Sequence, residues 1–134
     1  MKKTYQGGCH CGAVRFQALI DLDAGTSRCN CSFCSKARWW GTRVTPEDFT
    51  LLAGGDALST YTFGSHSMQH QFCRHCGVRP FGHGSGEWAG GAFVALNVAA
   101  LDGIGDDELA ALPITYCDGR ANNWWEKPRV TAHL

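Results

Sequence analysis

Hydrophobic and polar residues alternate over short stretches along most of this chain. Apolar side chains occupy every second position from Val14 to Ala18, and this two-residue period predicts a half-buried β-strand. Further short strands are predicted at 38–44, 49–53, 58–63, 69–72, 79–81, 92–98 and 114–116. Many short strands with little helix between them predict a mainly β fold of short antiparallel strands and short helical turns.

Breaks between these strands carry residues typical of turns and short helices. Gly54-Gly55 predicts a turn between two strands, and Thr45 with Pro46 predicts one helical turn at 45–48. A second short helix is predicted at 106–112, where Pro113 ends it. No repeat or linker divides the 134 residues, of which 44% are hydrophobic, so we expect residues 1–134 to form a single domain.

Charge and hydropathy argue against two classes of partner. Twelve Lys and Arg are matched by twelve Asp and Glu, so no basic field exists to attract nucleic acid, and we expect no nucleic-acid partner. No apolar run reaches the roughly 18 residues of a membrane span, and the residues after Met1 lack the apolar core of an export signal. We therefore expect a cytoplasmic protein without a membrane partner.

Cysteine is the most informative residue type in the chain. In a reducing compartment, eight cysteines indicate metal binding or catalysis rather than disulfides. Closely spaced thiolates suit tetrahedral zinc, although spacing alone is also compatible with an iron–sulfur cluster or copper(I). Cys117 stands apart, and the other seven form three groups: Cys9-His10-Cys11-Gly12, Cys29-Asn30-Cys31-Ser32-Phe33-Cys34 and Cys73-Arg74-His75-Cys76-Gly77.

The first and third groups share a feature that the second lacks. Each ends in Cys-Gly, and glycine allows the backbone to turn so that its N–H groups face a thiolate sulfur. We therefore predict one four-cysteine site, formed by Cys9, Cys11, Cys73 and Cys76. Four protein ligands complete a tetrahedral sphere, so the predicted role of this zinc is structural.

The middle group predicts a second metal site with a different role. Cys29, Cys31 and Cys34 form the predicted three-cysteine site, and three protein ligands leave one position for substrate, as in catalytic zinc sites. The alternative is a fourth protein ligand, from Cys117, Asp118 or one of the six histidines, which would make this site inert as well.

Five motifs, taken together in order and spacing, are far more specific than any single pair of cysteines. They are Gly8-Cys9-His10-Cys11-Gly12-Ala13-Val14-Arg15-Phe16, Cys29-Asn30-Cys31-Ser32-Phe33-Cys34, Phe72-Cys73-Arg74-His75-Cys76-Gly77, Val94-Ala95-Leu96-Asn97-Val98 and Tyr116-Cys117-Asp118-Gly119-Arg120. This pattern resembles the glutathione-dependent formaldehyde-activating enzyme (GFA) family, which includes the centromere protein V relatives. The resemblance covers nearly the whole chain.

The resemblance implies a fold, two metals and a reaction. The fold is the β-tent, with a structural zinc on the four-cysteine site and a catalytic zinc on the three-cysteine site. Members with an assigned activity are carbon–sulfur lyases, which join formaldehyde to the thiol of glutathione or release it from S-hydroxymethylglutathione. Many relatives carry the same cysteines without that assignment, so the family indicates scaffold and metals better than substrate.

A thiol and a small aldehyde are therefore the expected substrates. Zinc with three thiolates favours the thiolate form of an incoming thiol, which then attacks a carbonyl. Glutathione carries two carboxylates, and Arg79 and Arg38 are candidate clamps for them, with surface charge as the alternative. Asn97, a polar residue in an apolar strand, either faces substrate or makes a structural hydrogen bond.

Two other interpretations belong to different functional classes. In the first, both zinc ions are structural and the chain is a non-catalytic binding module. In the second, the three-cysteine site is a zinc or redox sensor that releases metal on oxidation. The Trp39-Trp40 and Trp124-Trp125 pairs are expected mostly in the core, with one ring forming a wall of the catalytic cleft.

Overall fold

The computed structural model describes residues 1–134 and contains ten β-strands and two short α-helices. The helices are α1 (Ser32–Ala37) and α2 (Asp106–Ala110). The strands are β1 (Lys3–Gly8), β2 (Arg15–Ile20), β3 (Thr26–Cys29), β4 (Trp40–Val44), β5 (Phe49–Ala53), β6 (Leu58–Tyr61), β7 (Gln69–Cys73), β8 (Phe81–Gly86), β9 (Gly91–Asn97) and β10 (Ile114–Cys117). The predicted mainly β fold is confirmed.

Two sheets share these strands. The smaller has the order β1-β2-β5, and the larger has the order β10-β3-β4-β9-β8-β7-β6. Neighbouring strands are antiparallel except β10 and β3, which run parallel. Parallel neighbours cannot be joined by a hairpin, and most of the chain lies between these two. The pairing brings the C-terminal part of the chain beside the second group of cysteines.

The core is built from side chains of both sheets. Phe16 of β2 and Phe81 of β8 are fully buried, with ring centroids 5.7 Å apart in an edge-to-face arrangement. Along β2 the side chains alternate between buried and half-buried, which confirms the two-residue period seen in the sequence. Cys9 and Cys73 belong to this core cluster, whereas none of the second group of cysteines does.

Several elements differ from the sequence-based prediction. The strand at 49–53 is confirmed, but the one predicted at 79–81 begins at Phe81 and continues to Gly86. Three of its six residues are glycines, which hide the strand pattern. Strands β1 and β3 and helix α1 were not predicted. Strand β1 is largely exposed, so its sequence has little hydrophobic alternation.

The prediction for the second tryptophan pair is wrong. Trp124 and Trp125 lie outside any strand and are 47% and 82% exposed. Trp124 Nε1 donates a hydrogen bond to Asn122 Oδ1 at 2.8 Å, within the same turn. No second layer of structure packs over this turn, so the two indole rings stay at the surface.

The predicted turn at Gly54-Gly55 offers a stability test. Gly54 has φ +88°, and a Cβ at this position would lie 2.1 Å from the carbonyl oxygen of Ala13. Gly54→Ala is therefore expected to lower the free energy of unfolding by about 2–4 kcal/mol, because it combines left-handed strain with a backbone clash. Urea denaturation measures this loss.

The neighbouring glycine is the matched control. A Cβ at Gly55 meets nothing closer than 3.4 Å, at the flexible end of Leu51. Gly55→Ala is expected to change the unfolding free energy by less than about 1 kcal/mol. Equal unfolding midpoints for the two variants would contradict the proposed clash.

Neither helix of this chain has the length and apolar character that crossing a membrane requires.

Candidate metal centre and active site

The four-cysteine site is assembled from two distant parts of the chain. Cys9 and Cys11 lie between β1 and β2, Cys73 ends β7, and Cys76 follows in the next turn. The four sulfur atoms lie within 4.8 Å of one another, with Sγ···Sγ distances of 3.6 Å for Cys9–Cys11 and 3.7 Å for Cys11–Cys73. A tetrahedron with 2.3 Å zinc–sulfur bonds has edges of about 3.8 Å. The sulfur atoms therefore fit one zinc ion.

The two glycines that end these groups have the predicted backbone conformation. Gly12 has φ +84° and Gly77 has φ +79°. The turn after Cys9 lets the backbone N–H of Val14 donate to Cys9 Sγ at 3.3 Å. Such hydrogen bonds stabilise thiolate sulfur and orient it as a ligand.

The three-cysteine site is formed within six residues. Cys29 ends β3, Cys31 immediately precedes α1, and Cys34 lies in α1. Their sulfur atoms lie within 4.8 Å of one another. The backbone N–H of Cys31 donates to Cys29 Sγ, and that of Cys34 donates to Cys31 Sγ, each at 3.3 Å. The sulfur of Cys31 thus caps α1, as a serine or aspartate oxygen does elsewhere.

Hydrogen bonds favour thiolates in both sites. Backbone N–H groups of Cys11 and Val78 lower the pKa of Cys76 to about 6. Hydrogen bonds from the other two thiols of its site hold the pKa of Cys31 well below its usual range. Neighbouring thiols act in the opposite direction on other members: they raise the pKa of Cys11 to about 11 and also raise the pKa of Cys29 and Cys34. Each site therefore holds at least one sulfur that favours the thiolate, the form that binds metal.

No fourth Cys, His, Asp or Glu joins the three-cysteine site within 4.8 Å. Cys117 is in register with Cys29 on the neighbouring strand, but its sulfur lies outside the set. Asp118 Oδ1 instead accepts a hydrogen bond from Asn30 Nδ2 at 2.8 Å. The three cysteines are all half-buried, whereas the four-cysteine site ranges from the fully buried Cys73 to the exposed Cys11.

A shallow surface cavity, with no enclosed space for a water molecule, adjoins the three-cysteine site. Two arginines face it and no acidic side chain does. Trp39 forms part of its wall, as expected for one tryptophan of the first pair. Its lining residues are Arg28, Cys29, Cys34, Ser35, Arg38, Trp39, His133 and Leu134.

Comparison with known proteins identifies the family. The sequence profile of the glutathione-dependent formaldehyde-activating enzyme family matches residues 4–118. This chain belongs to the GFA family. A provisionally named glutathione-dependent formaldehyde-activating enzyme of Halomonas elongata is 29% identical over 79 residues, which cover 53% of this chain and 50% of the relative. The chain thus aligns with half the length of that relative.

A solved structure supports the fold of this GFA protein. The crystal structure of a Rhodobacter sphaeroides protein is 32% identical, superposes with a TM-score of 0.69, and covers 82% of this chain and 99% of its own. The fold is therefore the β-tent that the resemblance implied.

Residues beyond the part that matches the GFA profile also reach the site. The profile match ends at residue 118, yet His133 and Leu134 line the cavity beside Cys29 and Cys34. His133 is isolated in the sequence and belongs to no motif, so nothing in the sequence distinguishes it from the other histidines. Only the parallel pairing of β10 with β3 and the path of the following residues place it here.

Asn30 is a second residue that the sequence analysis missed. It is 7% exposed, its Nδ2 donates to Asp118, and its Oδ1 accepts the backbone N–H of Arg120 at 2.9 Å. These bonds hold the 118–120 turn against the cysteine loop. A Cβ on Gly119 would lie 2.7 Å from Cys29 Sγ, so glycine permits this close approach. Asp118 therefore has a structural partner in this GFA chain.

Arg79 lies behind the cavity rather than along it. Its guanidinium is stacked between Trp39 and Phe33, 4.3 and 4.7 Å from the ring centroids, and donates to His70 Nδ1 at 3.0 Å. Burial lowers the pKa of Arg79 to about 10, and the charge of Cys34 acts in the opposite direction. A contact between Arg79 and substrate stays a prediction.

Asn97 makes its hydrogen bonds within the protein. Its Nδ2 donates to the carbonyl oxygen of Arg79 at 2.8 Å, and its Oδ1 accepts the backbone N–H of Ala99 at 3.1 Å. Asn97 therefore helps to hold Arg79 in place. A contact between Asn97 and substrate also stays a prediction.

Proposed function

We propose that this GFA protein is a zinc-dependent carbon–sulfur lyase of the S-hydroxymethylglutathione synthase type. It adds the thiol of glutathione, or of a similar compound, to a small aldehyde such as formaldehyde and also cleaves the adduct. The observation that carries this proposal is a set of three cysteine ligands, with no fourth protein ligand, beside a cavity. The GFA profile and the name of the Halomonas relative support the choice of substrates.

The proposed enzyme binds two zinc ions. One is structural and lies on the four-cysteine site, and the other is catalytic and lies on the three-cysteine site. The soft sulfur donors and the tetrahedral spacing of the first set fit this metal. Zinc bound by three thiolates supplies a position at which an incoming thiol loses its proton at neutral pH.

The chain's own residues select and orient the thiol substrate. Arg38 and Arg28 face the cavity, and their guanidinium groups suit the carboxylates of glutathione. Arg28 is held in place by Trp40, whose ring centroid lies 4.8 Å from the guanidinium carbon. Trp39 provides an apolar surface beside the reacting atoms.

The proposed reaction needs no oxidant or reductant. The thiolate sulfur attacks the carbonyl carbon of the aldehyde, so a carbon–sulfur bond forms while the carbon–oxygen π pair moves to oxygen. The proton that the thiol lost ends on that oxygen, which gives the hydroxymethyl thioether. Cleavage follows the same steps in reverse.

The remaining expectations form part of the same proposal. Residues 1–134 act as one domain, the partners are small molecules rather than nucleic acid or membrane, and the protein works in the cytoplasm.

Exchange NMR with glutathione and formaldehyde tests this function. The zinc-loaded protein is expected to accelerate formation and breakdown of the adduct by at least about 100-fold over the spontaneous reaction. Protein stripped of zinc by a chelator is the control and is expected to lose the acceleration. Exchange no faster than the spontaneous rate would reject the enzyme. Reversible zinc loss under mild peroxide, without turnover, would then favour a sensor.

A further inference from the structure

Arg79 is a half-buried cation without a conventional counter-ion. Its Nε is buried and has no hydrogen-bond partner. None of the three ion pairs in the structure includes it, so no carboxylate lies within 4.0 Å of its nitrogen atoms. Burying a charge without a partner is unfavourable, and an uncompensated cation at this place calls for a nearby anion.

The groups that do contact Arg79 are neutral. Phe33 and Trp39 stack on its two faces, and His70 accepts one of its hydrogen bonds. Burial holds the pKa of His70 below its usual range, so this imidazole is uncharged at neutral pH. These contacts orient the guanidinium but do not neutralise it.

The aromatic contacts connect Arg79 to the three-cysteine site. Phe33 lies between Cys31 and Cys34 in the cysteine loop, and Trp39 lines the cavity beside Cys34. Three thiolates around a divalent ion leave one net negative charge at this site. The guanidinium of Arg79 therefore packs against the segment that carries the negatively charged three-cysteine site.

The chain path also explains how Arg79 is held. It follows Cys76 of the four-cysteine site by three residues, and Asn97 binds its carbonyl oxygen. The four-cysteine site thus fixes the segment that delivers Arg79 to the other metal site.

We propose that Arg79 is a positioning residue whose half-buried charge, packed against Phe33 of α1, stabilises the anionic three-cysteine metal site. This inference rests on the proposed zinc binding at that site, but not on the reaction. It differs from the carboxylate clamp that the sequence position of Arg79 suggests. In this role Arg79 governs how tightly the second zinc is held.

Zinc release to a chromophoric chelator tests this role without substrate. In the zinc-loaded protein, Arg79→Met is expected to release zinc from the three-cysteine site about 10- to 100-fold faster, as for other residues that support metal ligands. Arg79→Lys keeps the charge and is expected to remain within about threefold of the unmodified protein. Zinc of the four-cysteine site is the internal reference, and Arg129→Gln is the control for an exposed arginine.

Several results would overturn the proposal. Equal release from Arg79→Met and the unmodified protein would show that the charge is not needed. If Arg79→Met does not fold, the Arg79→Lys variant is the deciding test. Tenfold faster zinc release from Arg79→Lys would show that the stacking of the guanidinium, and not its charge, holds the zinc. A higher KM for glutathione with unchanged zinc release would assign Arg79 to substrate binding. If the unmodified protein binds only one zinc ion, the three-cysteine site does not hold a metal, and the proposed function is then rejected as well.

Discussion

Cys73→Ser is expected to prevent the chain from folding. Cys73 is fully buried in the core cluster, and its sulfur lies 3.7 Å from that of Cys11, 62 residues earlier in the sequence. Structural zinc contributes about 10–16 kcal/mol to small zinc-binding folds, which matches or exceeds the roughly 5–15 kcal/mol total stability of a typical domain. Loss of this ligand is therefore expected to cost more free energy than the net stability of the folded state.

Soluble yield, near-ultraviolet circular dichroism and zinc content measure this effect. The expected result is an insoluble or unfolded chain with little bound zinc. Cys117→Ser is the matched control, because Cys117 is a half-buried free thiol outside both metal sites, and it is expected to fold with two zinc ions. A folded Cys73→Ser protein with an unchanged melting temperature would contradict the structural role.

Cys31→Ser is expected to abolish activity while leaving the fold intact. The three cysteines lie within six consecutive residues, they are half-buried, and none of them belongs to the core cluster. Loss of its metal therefore removes few long-range contacts. Since the proposed reaction depends on this zinc, adduct exchange is expected to fall by about 100-fold or more, to the spontaneous rate.

Elemental analysis and thermal unfolding check this division of roles. Zinc content is expected to fall from two ions to about one, with the melting temperature reduced by less than about 5 °C. An unfolded Cys31→Ser chain would mean that the two sites share the structural role. Full activity with a single zinc would exclude the three-cysteine site as the catalytic centre.

Features that depend on local sequence were predicted well. Strand β5 was placed at its observed residues, and the glycines after Cys11 and Cys76 grouped four cysteines whose sulfur atoms lie together in the structure. Glycine conformation and alternating burial are properties of a few consecutive residues, so the sequence contains the information directly.

Features that depend on packing between distant segments were missed or misjudged. Trp124 and Trp125 were expected in the core, but the turn that carries them has no layer above it. His133 has no motif of its own, and it reaches the three-cysteine site only through the path of the chain after β10, which pairs with β3. Asn30 lies within the cysteine motif, but its hydrogen-bond partners Asp118 and Arg120 come beside it only through the same pairing. Arg79 looked like a surface or substrate residue, yet two aromatic rings enclose it.

By itself, the sequence determined the family, the mainly β class and the two groups of cysteines, because residue type and spacing specify how sulfur atoms can surround an ion. Only the tertiary structure decided that no fourth Cys, His, Asp or Glu joins the second set, that two arginines line the surface beside it, and that a half-buried cation packs against its helix. Those properties arise where chain segments far apart in sequence pack together, and spacing along the chain does not encode which side chains meet there.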